Sequence, residues 1–158
     1  MRFTRTDGRS DRSGFTLVEL AVVLIISSIL IGVALPRIQT TFHQRDVNGA
    51  RDGLMLLAAQ ARARAMEQAR TVEFRYYEER DYAAIIESGD TIEVFRFGAD
   101  LGVGSDSEVG DIVMCYTARG YATEPCSTDL SSPALLTFER MGQTAELEVW
   151  PLGQLRKP

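Results

Sequence analysis

Glu19 is the residue whose placement most demands a chemical account. From Phe15 to Leu35 there are 21 residues, and Glu19 is the only charged one among them. A lone carboxylate in so apolar a helix is costly to hold in a bilayer, and far less so once it meets a cation. It stands four residues past a Gly14-Phe15 junction, and the run closes at Pro36-Arg37. Junction and carboxylate together are the sharpest functional signal in the chain.

Other residues that can do chemistry are fewer and plainer. Cys115 and Cys126 are the only cysteines. In an exported domain they can pair, closing a short loop worth about 2–3 kcal/mol; in a reducing compartment they stay as two thiols. The export signal ahead of them favours the disulfide. His43 is the only histidine, has no histidine–cysteine constellation for zinc, and reads as a solvated helix residue. Glu78, Glu79 and Asp81 can bind a cation such as Ca²⁺ or form a solvated turn; Asp100, Asp106, Glu108 and Asp111 carry the same two readings, and the turn is preferred for both. Gly102-Val103-Gly104 has Ser107 where a third glycine is needed, so it reads as a loop. Trp150, Phe138 and Tyr116 read as core or strand-face residues. The sequence shows no nucleophile elbow, phosphate loop or paired acid and base. It therefore implies no enzyme, cofactor or metal centre. Arg156 and Lys157 can touch phosphates, but the chain has a pI near 4.9 and a net charge of -5. That balance argues against a general nucleic-acid binder.

The elements that position these residues follow from periodicity. Residues 1–13 are polar, with Arg2, Arg5, Arg9 and Arg12 against Asp7 and Asp11, and show no period. Of the chain's 17 basic and 22 acidic residues, 13 and 20 remain beyond this stretch, a formal -7. A basic start beside an apolar run predicts a cytoplasmic N-terminus. Phe15–Leu35 as a helix spans about 30 Å, the thickness of the bilayer hydrocarbon. A secretory signal with Gly32-Val33-Ala34 as its cleavage site and a plain signal anchor are alternatives; neither accounts for the junction and the carboxylate together. Beyond Pro36, Val47, Leu54, Leu57, Ala58, Ala61, Ala65 and Ala69 recur at three- and four-residue spacings. The reading is one helix from about Phe15 to Ala69, roughly 80 Å long and bent or loosened near Pro36; the alternative is two helices with a linker across 40–53. Gly49 and Gly53 each weaken it by about 1 kcal/mol relative to alanine.

From Thr71 the period becomes two. Strands are predicted at 71–77, 82–87, 91–97, 111–117, 134–139 and 144–150, with a last short one within 152–156, and 98–110 as a long mobile loop. Helix first and strands after is an α+β arrangement, the amphipathic helix lying on an antiparallel sheet. The expected organisation is residues 1–14 as a leader, 15–36 as the membrane helix, 37–70 as the amphipathic helix and 71–158 as a β-rich domain.

Gly14-Phe15-Thr16-Leu17-Val18-Glu19 resembles the processing motif of type IV prepilins and type II secretion pseudopilins. The likeness rests on a short basic leader, Gly before Phe, Glu19 as the fifth residue after that junction, about twenty apolar residues, and Pro36 where such helices commonly kink. Ala61-Arg62-Ala63-Arg64-Ala65, Arg70-Thr71-Val72-Glu73-Phe74, Leu136-Thr137-Phe138 with Gly142, and Leu152-Gly153-Gln154-Leu155-Arg156 are similar, more loosely, to minor pseudopilins of the GspH/FimT family.

The resemblance implies a pilin-like fold and an assembly role. A prepilin peptidase would cut between Gly14 and Phe15 and methylate the new Phe15 amine, which keeps its charge. Gly14, without a side chain, suits a cramped protease site. Glu19 would pair with the N-terminal amine of a neighbouring subunit during assembly, and Pro36 would shape the helix. Thr16 and Ser27 or Ser28 would satisfy polar groups in the apolar run. Implied partners are that peptidase, other pseudopilins or pilins in a mixed filament, and an inner-membrane assembly platform. The implied place is the inner membrane, single-pass, with the C-terminal domain periplasmic. The first expectation is a type II secretion pseudopilus; the alternative is a minor type IV pilin in pilus assembly or DNA uptake. Some FimT-like proteins bind DNA through a Gly-Arg-x-Arg ending, but here Gln154 stands at the first Arg.

Overall fold

The computed structural model describes residues 15–124 and 126–158. The chain divides into two compact units, one ending at Ile38 and one spanning Gln39–Pro158. Helix α1 (Leu17–Gln68) contributes to both, and the backbone at Pro36 is helical. An interior proline loses one backbone bond and crowds the carbonyl four residues back, at about 3 kcal/mol, and the helix continues through it nonetheless.

In the second unit the three- and four-residue spacing does what it predicts. Val47, Ala50, Leu54, Leu57, Ala58, Ala61 and Ala65 are all buried. Their small side chains let the strands approach α1 closely. Ala69, expected on the same stripe, is instead exposed with φ 53°. It ends the helix in the left-handed conformation, and the Arg70 N–H donates back to the Ala65 carbonyl at 3.3 Å. This is the pattern that usually places glycine at the position Ala69 holds.

The strands follow as β1 (Val72–Tyr77), β2 (Tyr82–Glu87) and β3 (Asp90–Phe95), then a five-residue helix α2 (Phe97–Leu101), β4 (Gly104–Ser107), β5 (Ile112–Tyr116), β6 (Ala134–Arg140), β7 (Gln143–Val149) and β8 (Leu155–Arg156). They form two four-stranded antiparallel sheets, ordered β3-β2-β1-β5 and β4-β6-β7-β8. Alternation along β1 buries Val72, Phe74 and Tyr76, and along β6 Ala134, Leu136 and Phe138. Phe97 of α2 joins the two sheets. Its ring lies 6.4 Å from Tyr76, stacked, and 5.5 Å from Phe138, edge-on. The turn at Met141-Gly142, φ 49° and 76°, sets the β6–β7 register.

Residues 98–110 are not the expected mobile loop. They hold most of α2 and all of β4, and the acidic turn upstream pins them. The Asp81 carboxylate accepts both the Ser105 N–H and the Ser105 hydroxyl at 2.8 Å. The Tyr76 hydroxyl donates to the Ser105 Oγ at 2.8 Å, and the Glu78 carboxylate accepts the Ser107 N–H at 2.9 Å. Gly98 is needed here for close approach, since a Cβ on it would lie 2.4 Å from the Asp81 Cβ. Burial pushes the Tyr76 hydroxyl up to about 12, partly opposed by its bond to Ser105.

Candidate functional site

The N-terminal segment starts with a helix cap. The Thr16 Oγ1 accepts the Glu19 backbone N–H at 3.2 Å, and the Thr16 carbonyl accepts the Leu20 N–H. Thr16 is the N-cap, and Glu19 is the third helical residue. Thr-x-x-Glu is a capping-box spelling, of which one of the two reciprocal bonds is made. A carboxylate in the first turn also faces the positive end of the helix dipole, worth about 0.3–1 kcal/mol. The capping spelling is legible in the sequence and was overshadowed by the apolar run behind it. The cap lowers the cost of holding Glu19 at the head of that run. Among the described residues both carboxylate oxygens stay uncommitted, since the bond to Thr16 uses only the backbone. Ser28 satisfies its own hydroxyl by donating to the Ile25 carbonyl at 2.8 Å.

Twelve large apolar side chains between Phe15 and Ile31 are 48–84% exposed. At roughly 1.5–3 kcal/mol for each such side chain fully buried, this surface in water carries on the order of 10–20 kcal/mol of unrealised burial. The helix is long and apolar enough to cross a membrane. Gly14, the expected residue before the cut, and the leader lie outside the described residues.

The other expected residues sit elsewhere. Cys115, on β5, and Cys126 are joined by a disulfide with Cα atoms 5.8 Å apart. The residues that follow Cys126 lie along β5: Ser127 Oγ accepts the Cys115 N–H at 3.0 Å, and Thr128 Oγ1 the Val113 N–H at 2.8 Å. That covers an edge strand which would otherwise offer free backbone groups. The Glu73 carboxylate lies close to both sulfurs but is held by Arg75 at 2.7 Å. Bonded to each other, those sulfurs offer no thiolate to a metal.

At the C-terminus, the Arg156 guanidinium sits 5.2 Å from the centre of the Trp150 ring, and Lys157 pairs with Asp52 at 3.0 Å. Burial alone would raise the Asp52 carboxyl. Hydrogen bonds from Lys157 and Arg51 outweigh it and hold the group below its usual range. Trp150, expected among core or strand-face residues, is partly exposed beneath this cation, while Phe138 and Tyr116 are buried. His43 is half-buried rather than solvated.

With this geometry in place, comparison with known proteins narrows the reading. Residues 9–35 match the prokaryotic N-terminal methylation motif. Among curated proteins no sequence relative matches. The fold is similar to that of the Pseudomonas aeruginosa type IV minor pilin FimU. The TM-score is 0.53 and the identity 13%, over 72% of this chain and 89% of that one. A second crystal form of FimU gives 0.49 at 14% identity, over 70% and 91%. The chain is pilin-like. It carries the prokaryotic N-terminal methylation motif ahead of a fold similar to that of a type IV minor pilin. The capped, apolar and exposed start of α1 is compatible with membrane anchoring.

Proposed function

We propose that the chain is a minor pseudopilin: a structural subunit that a prepilin peptidase cuts between Gly14 and Phe15 and methylates on the Phe15 amine. It then assembles with other pilin-like subunits into the pseudopilus of a type II secretion system. Before assembly it sits in the inner membrane with the leader cytoplasmic and the Gln39–Pro158 unit periplasmic. One observation carries the reading. The capped start of α1 presents Glu19, the sole carboxylate of the apolar run, with both its oxygens uncommitted among the described residues.

The physical logic is pairing. Cleavage leaves a cationic amine on Phe15, four residues from an anionic Glu19 in every copy. Within one helix start both groups remain exposed; between subunits, each finds the other in a low-dielectric setting. An unpaired charge there is strongly disfavoured, so docking out of register is penalised by several kcal/mol. Pro36 helps fit the helix to its neighbours. A second reading, a minor type IV pilin, is supported by the likeness in fold to FimU.

Intact-mass measurement of the protein from its native membrane tests the core claim. The expected N-terminus is monomethylated Phe15, with Gly14→Ala leaving uncut precursor and Glu19→Ala processed but missing from filaments. A chain starting at Leu35, or an uncut wild-type chain, would sink it. Deleting the gene in its host separates the two filament readings: loss of secreted enzymes indicates a pseudopilus, and loss of surface pili a type IV pilus.

A further inference from the structure

A groove of about 350 Å³ lies between α1 and the C-terminal segment. The buried Ala58 and Tyr116 and the half-buried Met55 and Leu155 line it, and the exposed Arg62 and Arg156 complete its lining. We propose that this groove docks an acidic peptide segment of a partner protein, one whose carboxylate is flanked by an aliphatic or aromatic residue.

Charge complementarity carries the choice of occupant. Six other cations of the chain, among them Arg51, Arg70 and Arg140, are in ion pairs. Among the described residues neither Arg62 nor Arg156 meets a carboxylate. Arg156 is instead held by its bond to Gln154 at 2.9 Å and its seat on Trp150, while Glu148, its cross-strand partner, accepts the Trp150 indole N–H at 3.2 Å and forms no ion pair with Arg156. Two guanidinium forks beside one cavity, that of Arg156 held in place, match a carboxylate better than a lysine pair would. The cavity wall selects for more than charge. The Tyr116 hydroxyl is committed to the Gly153 carbonyl at 2.7 Å, so between the two arginines the wall is largely apolar. A polynucleotide fits poorly. Phosphate binding draws its strength from many cations along a track, whereas this groove offers two, and the neighbouring Lys157 is already engaged with Asp52.

The test is fluorescence anisotropy on the full chain in detergent micelles, with a fluorescein-labelled peptide alternating glutamate and leucine. The wild type is expected to bind it, more weakly in high salt. Arg62→Ala and Arg156→Ala should each weaken binding about tenfold, as for losing a hydrogen bond to a charged group. Arg80→Ala, an exposed cation in the β1–β2 turn, should change nothing. Arg156→Lys should recover only part of the loss, because it restores charge without the fork. Four outcomes would overturn the proposal: no binding at millimolar peptide, equal binding of the glutamine version, an equal loss in Arg80→Ala, or displacement of the peptide by a lower concentration of duplex DNA. Near-ultraviolet circular dichroism confirms that each variant is folded. The readout is a direct binding event, so it stands or falls independently of N-terminal processing.

Discussion

Replacing Gly53 by alanine sets two effects of opposite sign against each other inside one helix. Alanine gains about 1 kcal/mol over glycine in a helix interior. At position 53, however, the new Cβ would lie 2.5 Å from both Cε1 and Cζ of the Phe95 ring. An ordinary carbon contact needs about 3.5–4 Å, so the ring must retreat by roughly 1 Å. Phe95 packs on the core with its ring centre 5.8 Å from that of Phe97, which stands between it and Phe138. Such overpacking costs about 1–3 kcal/mol, and the clash should win by about 1 kcal/mol. Gly49, four residues earlier, is the internal control. Its alanine Cβ would sit 3.7 Å from the Leu101 Cδ1, a normal contact, so Gly49→Ala should gain the full helix term. The two variants should therefore differ by about 2 kcal/mol, or roughly 8 °C in melting temperature for a unit of this size. Thermal unfolding of the full chain in detergent, followed by near-ultraviolet circular dichroism, measures this. Phe95→Leu should cost less in the Gly53→Ala background than in the wild type, which a double-mutant cycle reads directly. If Gly53→Ala melts as high as Gly49→Ala, the steric argument is wrong.

Three further outcomes follow from the same structure. Ala69→Gly should stabilise the chain by about 0.5–1 kcal/mol, because φ 53° at the helix end favours glycine, and chemical denaturation would show it as a raised midpoint. Cys115→Ser with Cys126→Ser should lose about 3 kcal/mol, since the bridge closes a loop over a sequence separation of 11; reduction of the wild type should match the double variant in denaturation midpoint. The raised Tyr76 and Tyr116 hydroxyls give an alkaline limit. Burial keeps both neutral in the folded chain, so their contribution is fully present below the ordinary tyrosine value near 10 and is lost as pH climbs from there towards 12. Absorbance at the tyrosinate band during a pH titration should show these two ionising only with unfolding.

The N-terminal methylation motif was legible because its signal is contiguous. Gly14, Phe15, Thr16, Glu19 and the apolar run occupy 22 consecutive residues, and a peptidase or a bilayer reads such a segment locally. The helix and the strands were legible for a similar reason. Burial imposes periods of 3.6 and 2 on any element with one dry face, so Val47 to Ala65 and Val72 to Tyr76 declared themselves. What misled were positions whose fate depends on distant partners. Ala69 continues the apolar period but lies past the helix end. Residues 98–110 look like a loop because β4 is polar, Gly-Ser-Asp-Ser; its order comes from pairing with β6 and from Asp81, 24 residues before Ser105. Trp150 reads as core or strand face, and only the fold shows that Arg156 lies over its ring.

By itself, then, the sequence determined the N-terminal methylation motif, the long apolar run behind it, and the class of the fold. Only the tertiary structure decided how eight strands divide into two sheets and which carboxylates pin the polar segment between them. It also decided that Arg62 and Arg156, distant in sequence, share one groove. The division has a physical cause. Local periodicity and linear motifs are written in neighbouring residues, whereas sheet order, cavity walls and charge neighbours depend on which distant segments meet. That meeting is fixed by packing the whole core at once.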